Sequence, residues 1–79
     1  MNRKETLKQI QNIYEDALGF KLHSFKEEEL ILALGVNSLT NLYIILMLEK
    51  TFNIKFNLEE LVQVETIGEL INMIERLRI

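Results

Sequence analysis

Few side chains in this sequence have types and spacings that could do chemistry. Ser38 follows Asn37 and opens the stretch from Leu39 to Leu48, in which only Thr40 and Asn41 are polar. A serine hydroxyl acts as a nucleophile when an oriented base takes its proton. The single histidine, His23, lies in a loop-like segment with no evident orienting carboxylate, and Gly35-Val36-Asn37-Ser38 lacks the second glycine of the hydrolase elbow. No catalytic residue is assigned, and an enzyme is rejected. His23 has no partner at ligand spacing and reads as a surface or half-buried loop histidine. Glu27, Glu28 and Glu29 are successive, so on a helix they point different ways; they read as a solvated face and not as a metal site.

Asn37-Ser38 admits two readings. In one, either residue simply caps the helix that follows, as these residue types commonly do. In the other, Asn37 is the cap and Ser38 sits in the first turn with its hydroxyl pointing outward. A helix N-terminus offers free backbone N–H groups and a partial positive charge, which stabilise a phosphate attached there. Ser38 is then a site for covalent phosphate chemistry.

The elements that must position Ser38 follow from apolar spacing. Leu7, Ile10, Ile13, Tyr14, Ala17 and Leu18 mark one face of a first helix, from about Arg3 to Leu18, with Asn2 as cap and Gly19 as stop. The segment from Gly19 to Val36 has no such pattern. Ser24-Phe25-Lys26-Glu27 has the form of a capping box, which predicts a short helix over Phe25 to Ala33 inside a long loop. Phe20, Leu22, Phe25 and Leu30 are expected to pin that loop. Helix 2 is predicted from Ser38 to Thr51. Phe52-Asn53-Ile54-Lys55-Phe56 alternates like a strand, but a lone strand is not stable, so it reads as an extended connector with apolar side chains inward. Asn57 caps a short helix 3 from Leu58 to Val62. Thr66-Ile67-Gly68-Glu69 is a second capping box and opens helix 4, which runs to about Arg78. Gly68 in its first turn lowers helix propensity, and close packing against a neighbour is the one explanation found.

Composition bounds the rest. Seventy-nine residues make one domain, residues 1–79, and 48% hydrophobic content supports a packed core. No cysteine is present, so disulfides and thiolate metal sites are excluded. Twelve acids against nine bases give a net charge of -3, which disfavours nucleic acid. The N-terminus has basic residues with no apolar core behind them, unlike a signal peptide, and no run is long enough to span a membrane. A soluble, cytoplasmic, monomeric domain is expected.

Leu34-Gly35-Val36-Asn37-Ser38-Leu39 resembles the Leu-Gly-x-Asp-Ser-Leu hallmark of the acyl and peptidyl carrier protein family. The match continues without a gap through Leu48-Glu49, Phe52, Ile54, Glu59, Glu60 and Thr66-Ile67 to Ile74. The resemblance covers nearly the whole chain and implies an all-α fold, a small four-helix bundle of three long helices and a short helix 3, with a long loop between helices 1 and 2. It implies that Ser38 carries 4'-phosphopantetheine, delivered covalently from coenzyme A by a phosphopantetheinyl transferase, with Asn37 and Leu39 beside it. The terminal thiol would hold an acyl or aminoacyl group as a thioester, placed there by a loading enzyme and passed to a downstream synthase or transferase. A free-standing carrier in polyketide, nonribosomal peptide or specialised fatty-acid-type biosynthesis is the expectation. The family's usual aspartate is Asn37 here, and its proline before helix 3 is Asn57; asparagine caps at both places.

Between Leu30 and Ile54 the charged residues are Glu49 and Lys50 alone. Fatty-acid carriers present an acidic helix 2, so recognition here is expected to be mainly hydrophobic. If Ile44, Ile45, Leu48 and Phe52 face the bundle, Leu39, Leu42, Tyr43 and Leu46 lie outward near Ser38, and Leu42, Tyr43, Leu46, Glu49 and Lys50 form a docking face. The competing possibility is that the long loop covers these apolar residues. Two rival functions stand beside the carrier: an unmodified carrier-like module that binds proteins through helix 2, and a homodimer that buries the same face.

Overall fold

In the computed structural model, which describes residues 2–78, helix α1 spans Arg3–Leu18, α2 spans Ser38–Phe52, α3 spans Leu58–Leu61 and α4 spans Ile67–Leu77. A 3-10 turn, Ile31–Leu34, lies within the long connection between α1 and α2. Each helix begins where the sequence supplies an acceptor for the unpaired N–H groups of a first turn. Asn2 Oδ1 accepts from the Glu5 N–H at 2.8 Å, and the Glu5 carboxylate accepts from the Asn2 N–H at 3.4 Å. Asn57 caps α3, and Thr66 and Glu69 form the capping box of α4. Gly19 ends α1 at φ 84° and Asn53 ends α2 at φ 55°, left-handed conformations open to glycine and tolerated by asparagine.

α1, α2 and α4 close around one core. Ile10, Ile13 and Tyr14 of α1 meet Ile44, Leu48 and Phe52 of α2, and Ile67, Leu70, Ile71 and Ile74 of α4 complete it. Burying each such side chain contributes about 1.5–3 kcal/mol. The extended connector follows its alternation: Phe52, Ile54 and Phe56 are buried, Asn53 and Lys55 exposed. Its Phe56 N–H donates to the Glu49 carboxylate at 2.8 Å, so a side chain provides what a neighbouring strand would otherwise supply. No described helix is long and apolar enough to cross a membrane.

The helix expected over residues 25–33 does not form, and neither does its capping box. The Glu27 carboxylate is instead gripped by the Arg3 guanidinium, from Nε at 3.0 Å and from Nη2 at 2.9 Å. The backbone is drawn away as well. The Glu27 and Glu29 carbonyls accept from the N–H groups of Gly68 at 2.8 Å and Ile67 at 3.0 Å, and the Ile31 N–H donates to the Glu65 carbonyl at 2.9 Å. Gly68 and Ile67 begin α4, so the loop satisfies donors that α4 cannot pair internally. Long-range pairing thus overrides a local signal, and Leu30 and Thr66 form an isolated antiparallel bridge.

Two of the four expected loop anchors also fail, since Phe20 and Leu30 are exposed. Phe25 is buried with its ring 5.8 Å from that of Tyr14, and Leu22 packs half-buried on the core. The Leu22 N–H donates to the Glu15 carboxylate and the Leu22 carbonyl accepts from Gln11 Nε2, each at 2.8 Å. Hydrogen bonding to the Leu22 N–H holds the Glu15 carboxyl below its ordinary pKa, with Gln11 and Lys21 acting in the same direction.

Candidate attachment site at the head of α2

Gly35, at φ 70°, turns the chain out of the 3-10 turn, while half-buried Leu34 and Val36 fix the approach to α2 on the core. Asn37 then adopts an extended conformation, and its Oδ1 accepts from the Thr40 N–H at 2.8 Å. Asn37 is therefore the cap and Ser38 the first helical residue, as the second reading of this pair requires. Ser38 is exposed, and its hydroxyl makes no hydrogen bond with any described residue. No base among the described residues hydrogen-bonds to it, and His23 is an exposed loop residue.

Thr40's N–H is taken by Asn37, but the N–H groups of Ser38 and Leu39 have no acceptor among the described residues. The first turn of α2 also carries no acid. The head of α2 therefore combines a free hydroxyl, unpaired donors and the positive end of a helix macrodipole, with no fixed negative charge on that turn to oppose an anion. Such a surface suits a phosphodiester on Ser38 Oγ. Among the described residues no group of three or more His, Cys, Asp or Glu side chains could hold a metal ion.

Down the outside of α2, Leu39, Leu42, Tyr43 and Leu46 are all exposed, and the loop does not cover them; Leu39 retains 78% of its accessible surface. Ile44, Leu48 and Phe52 occupy the opposite, buried side, with Ile45 half-buried at the edge. Glu49 is half-buried because its carboxylate serves the connector, which leaves Lys50 as the exposed charge of α2.

A cavity of about 490 Å³, of which residue spacing carries no sign, lies between α2, the 3-10 turn and α3. Its rim includes Leu32 and Val62, among the most exposed apolar residues of the molecule, and its depth includes Tyr14, Ile44 and Leu48, each 2% exposed or less. Ile31-Leu32-Ala33 fall within the helix expected over Phe25 to Ala33, and a cavity rim has no periodicity of its own. The available signal was the excess of apolar residues there over what a small core can bury.

The family model described as "Phosphopantetheine attachment site" matches residues 8–74. The chain is also similar in structure to the acyl carrier protein of Thermotoga maritima, with a TM-score of 0.83 at 22% sequence identity, over 98% of this chain and 91% of that one. At that identity the likeness concerns the fold. No curated protein matches in sequence.

Proposed function

We propose that Ser38 is the attachment point of the cofactor in this chain, which belongs to the carrier protein family defined by covalently bound phosphopantetheine. The observation that carries the assignment is the exposed Ser38 hydroxyl, unpaired and one residue inside a helix capped by Asn37. In the attachment reaction Ser38 Oγ gives up its proton and forms a phosphodiester with the phosphopantetheine half of coenzyme A, whose nucleotide half leaves. The unpaired Ser38 and Leu39 N–H groups would be available to hold that phosphate. When bound, the cofactor supplies a terminal thiol that holds an acyl or aminoacyl group as a thioester.

The chain's own part in the chemistry is to present that group. Leu39, Leu42, Tyr43 and Leu46 offer partners an apolar face beside the attachment point, with Glu49 and Lys50 at its far end. An unpaired apolar surface of this kind supports docking driven by burial, with little electrostatic steering. We assign the carrier to polyketide, nonribosomal peptide or specialised fatty-acid-type biosynthesis, served by a phosphopantetheinyl transferase, a loading enzyme and a downstream synthase or transferase. The exposed face of α2 also favours a second reading, in which an unmodified chain binds proteins through that helix.

Intact mass after incubation with coenzyme A and a broad-specificity phosphopantetheinyl transferase separates the two. A gain of one phosphopantetheine, absent in Ser38→Ala, is the expected result. No gain, both in this chain and in Asn37→Asp, sinks the attachment at Ser38 and leaves the protein-binding module.

A further inference from the structure

The exposed stripe of α2 has the spacing of a helix–helix seam, with a charge at one end. Leu39, Leu42 and Leu46 recur at intervals of three and four, the pattern by which one helix packs along another. Tyr43 widens the stripe, and Lys50, four residues beyond Leu46, closes it on the same side. Lys50 is exposed and makes no ion pair with any described residue. Glu49 beside it is half-buried, its carboxylate accepting from the Phe56 N–H. Lys50 is thus the free charge of the stripe, about 18 Å along the helix from Ser38 at 1.5 Å per residue.

These features suit a second copy of the chain, set antiparallel. Placing Leu42 against Leu46 of the second copy also places Leu46 against its Leu42, so the contact is self-complementary. Four residues further out on each helix, Ser38 then stands opposite Lys50 of the second copy, and the same juxtaposition recurs at the other end. A parallel pair would instead bring the two Lys50 side chains together, and the two positive helix heads together. Leu39, Leu42, Tyr43 and Leu46 expose roughly 450 Å² in all, against the ~800 Å² that each partner of a stable complex buries. Burial alone therefore gives a weak dimer, and charge decides the rest. On the unmodified chain Lys50 meets the positive end of the opposing α2, which opposes pairing. A phosphodiester on Ser38 brings a negative charge to the same place and reverses the sign.

We infer that two copies of this carrier pair antiparallel through α2, and that phosphopantetheine on Ser38 of each copy tightens the pair through Lys50 of the other. The inference rests on the reading of Ser38 as the attachment point, and it replaces the monomer expected from the sequence. The dimer covers Leu39, Leu42, Tyr43 and Leu46. The docking face of a holo chain at rest is therefore occupied by the second copy, which a partner enzyme must displace to reach it.

The test is sedimentation equilibrium of the apo chain and of the enzymatically modified holo chain, from micromolar to millimolar concentration. A reductant is present so that no disulfide joins the cofactor thiols, and modification is verified by intact mass. Both forms should dimerise. At low salt the holo Kd should be about tenfold lower, each of the two exposed pairs contributing a factor of about three, and high salt should erase the difference. Lys50→Glu should invert the order, because a carboxylate suits the bare helix head and repels the phosphate: its apo form should dimerise more tightly than its holo form. Leu42→Asp should abolish both dimers while its circular dichroism stays that of the native chain. A holo chain that remains monomeric, equal Kd for apo and holo forms, an order unchanged in Lys50→Glu, or a dimer that persists in Leu42→Asp overturns the inference and leaves the carrier reading intact. Failure of phosphopantetheine to attach overturns both.

Discussion

The N–H of Gly68 donates to the carbonyl oxygen of Glu27 at 2.8 Å, and a methyl group on Gly68 would stand 3.3 Å from that same oxygen. The close approach explains why a glycine occupies the first turn of α4. Glu27 has little room to yield, since Arg3 holds its carboxylate and Gly68 its carbonyl. Gly68→Ala gains helix propensity but crowds this contact, and we expect a net loss of about 1 kcal/mol, measured by urea denaturation. Stability at or above that of the native chain would show that the loop shifts freely.

Arg3 joins three parts of the chain, since it also donates to Glu75 Oε1 and to the Gly68 carbonyl, each at 3.0 Å. Its side chain and that of Glu27 are each about one-third exposed, so solvent screens the pair. Arg3→Ala should cost about 1 kcal/mol and should lessen the penalty of Gly68→Ala, because Glu27 is then free to move. A double-mutant cycle reads the coupling directly, and strict additivity would disconnect the two contacts.

Acid should weaken the loop anchor at Glu15. Its carboxyl has a folded pKa below the ordinary value of 4.5, so its contribution is fully present above that value and fades as pH falls through the lower, folded one. Glu15→Gln should therefore be less stable than the native chain at pH 7 and should show a flatter loss between pH 5 and the acid transition. Parallel denaturation curves for both proteins across that range would rule the anchor out.

Asn37 should tolerate a charge. Asn37→Asp keeps the cap and adds a negative charge at the positive end of α2, which should raise stability by about 0.5 kcal/mol; Asn37→Ala should lower it by about 1 kcal/mol. Thermal unfolding of the two variants checks both signs.

Leu42→Asp and Leu46→Asp alter exposed positions and should leave stability within about 0.5 kcal/mol of the native chain. Transfer of cargo to or from the cognate partner should be lost in both. Unchanged transfer would exclude this face from docking, and unfolding would mean that the residues belong to the core.

Much of this architecture is legible in the sequence because its signals are local. Caps at Asn2, Asn37, Asn57 and Thr66, and the stop at Gly19, act within a few residues, and helical spacing marks the core faces of α1 and α4. The segment from Ser24 to Ala33 departs from its expected helix for the complementary reason. Its capping box is genuine as a pattern, but Glu27 finds a stronger partner in Arg3 and its backbone finds Gly68, neither of them near in sequence. The hydrogen bond of Glu49 to the Phe56 N–H has no local signal, because it depends on how the connector folds back. The cavity was invisible because the residues around it come from α1, α2, the 3-10 turn and α3, each with its own spacing.

The hydrogen bonds that join residues 27–31 to residues 65–68 have a further consequence in chain entropy. They close the backbone into a ring that contains α2, α3 and Ser38, while α1 lies outside it. The entropic cost of a closed loop grows only with the logarithm of its length, and it is met once, when the ring forms. If α3 detaches or the connector loosens, the ring stays shut, and the freed segment explores only the volume its fixed ends allow. A partner that pulls on the head of α2 therefore works against a tethered segment, which regains its packing without a search through the unfolded chain.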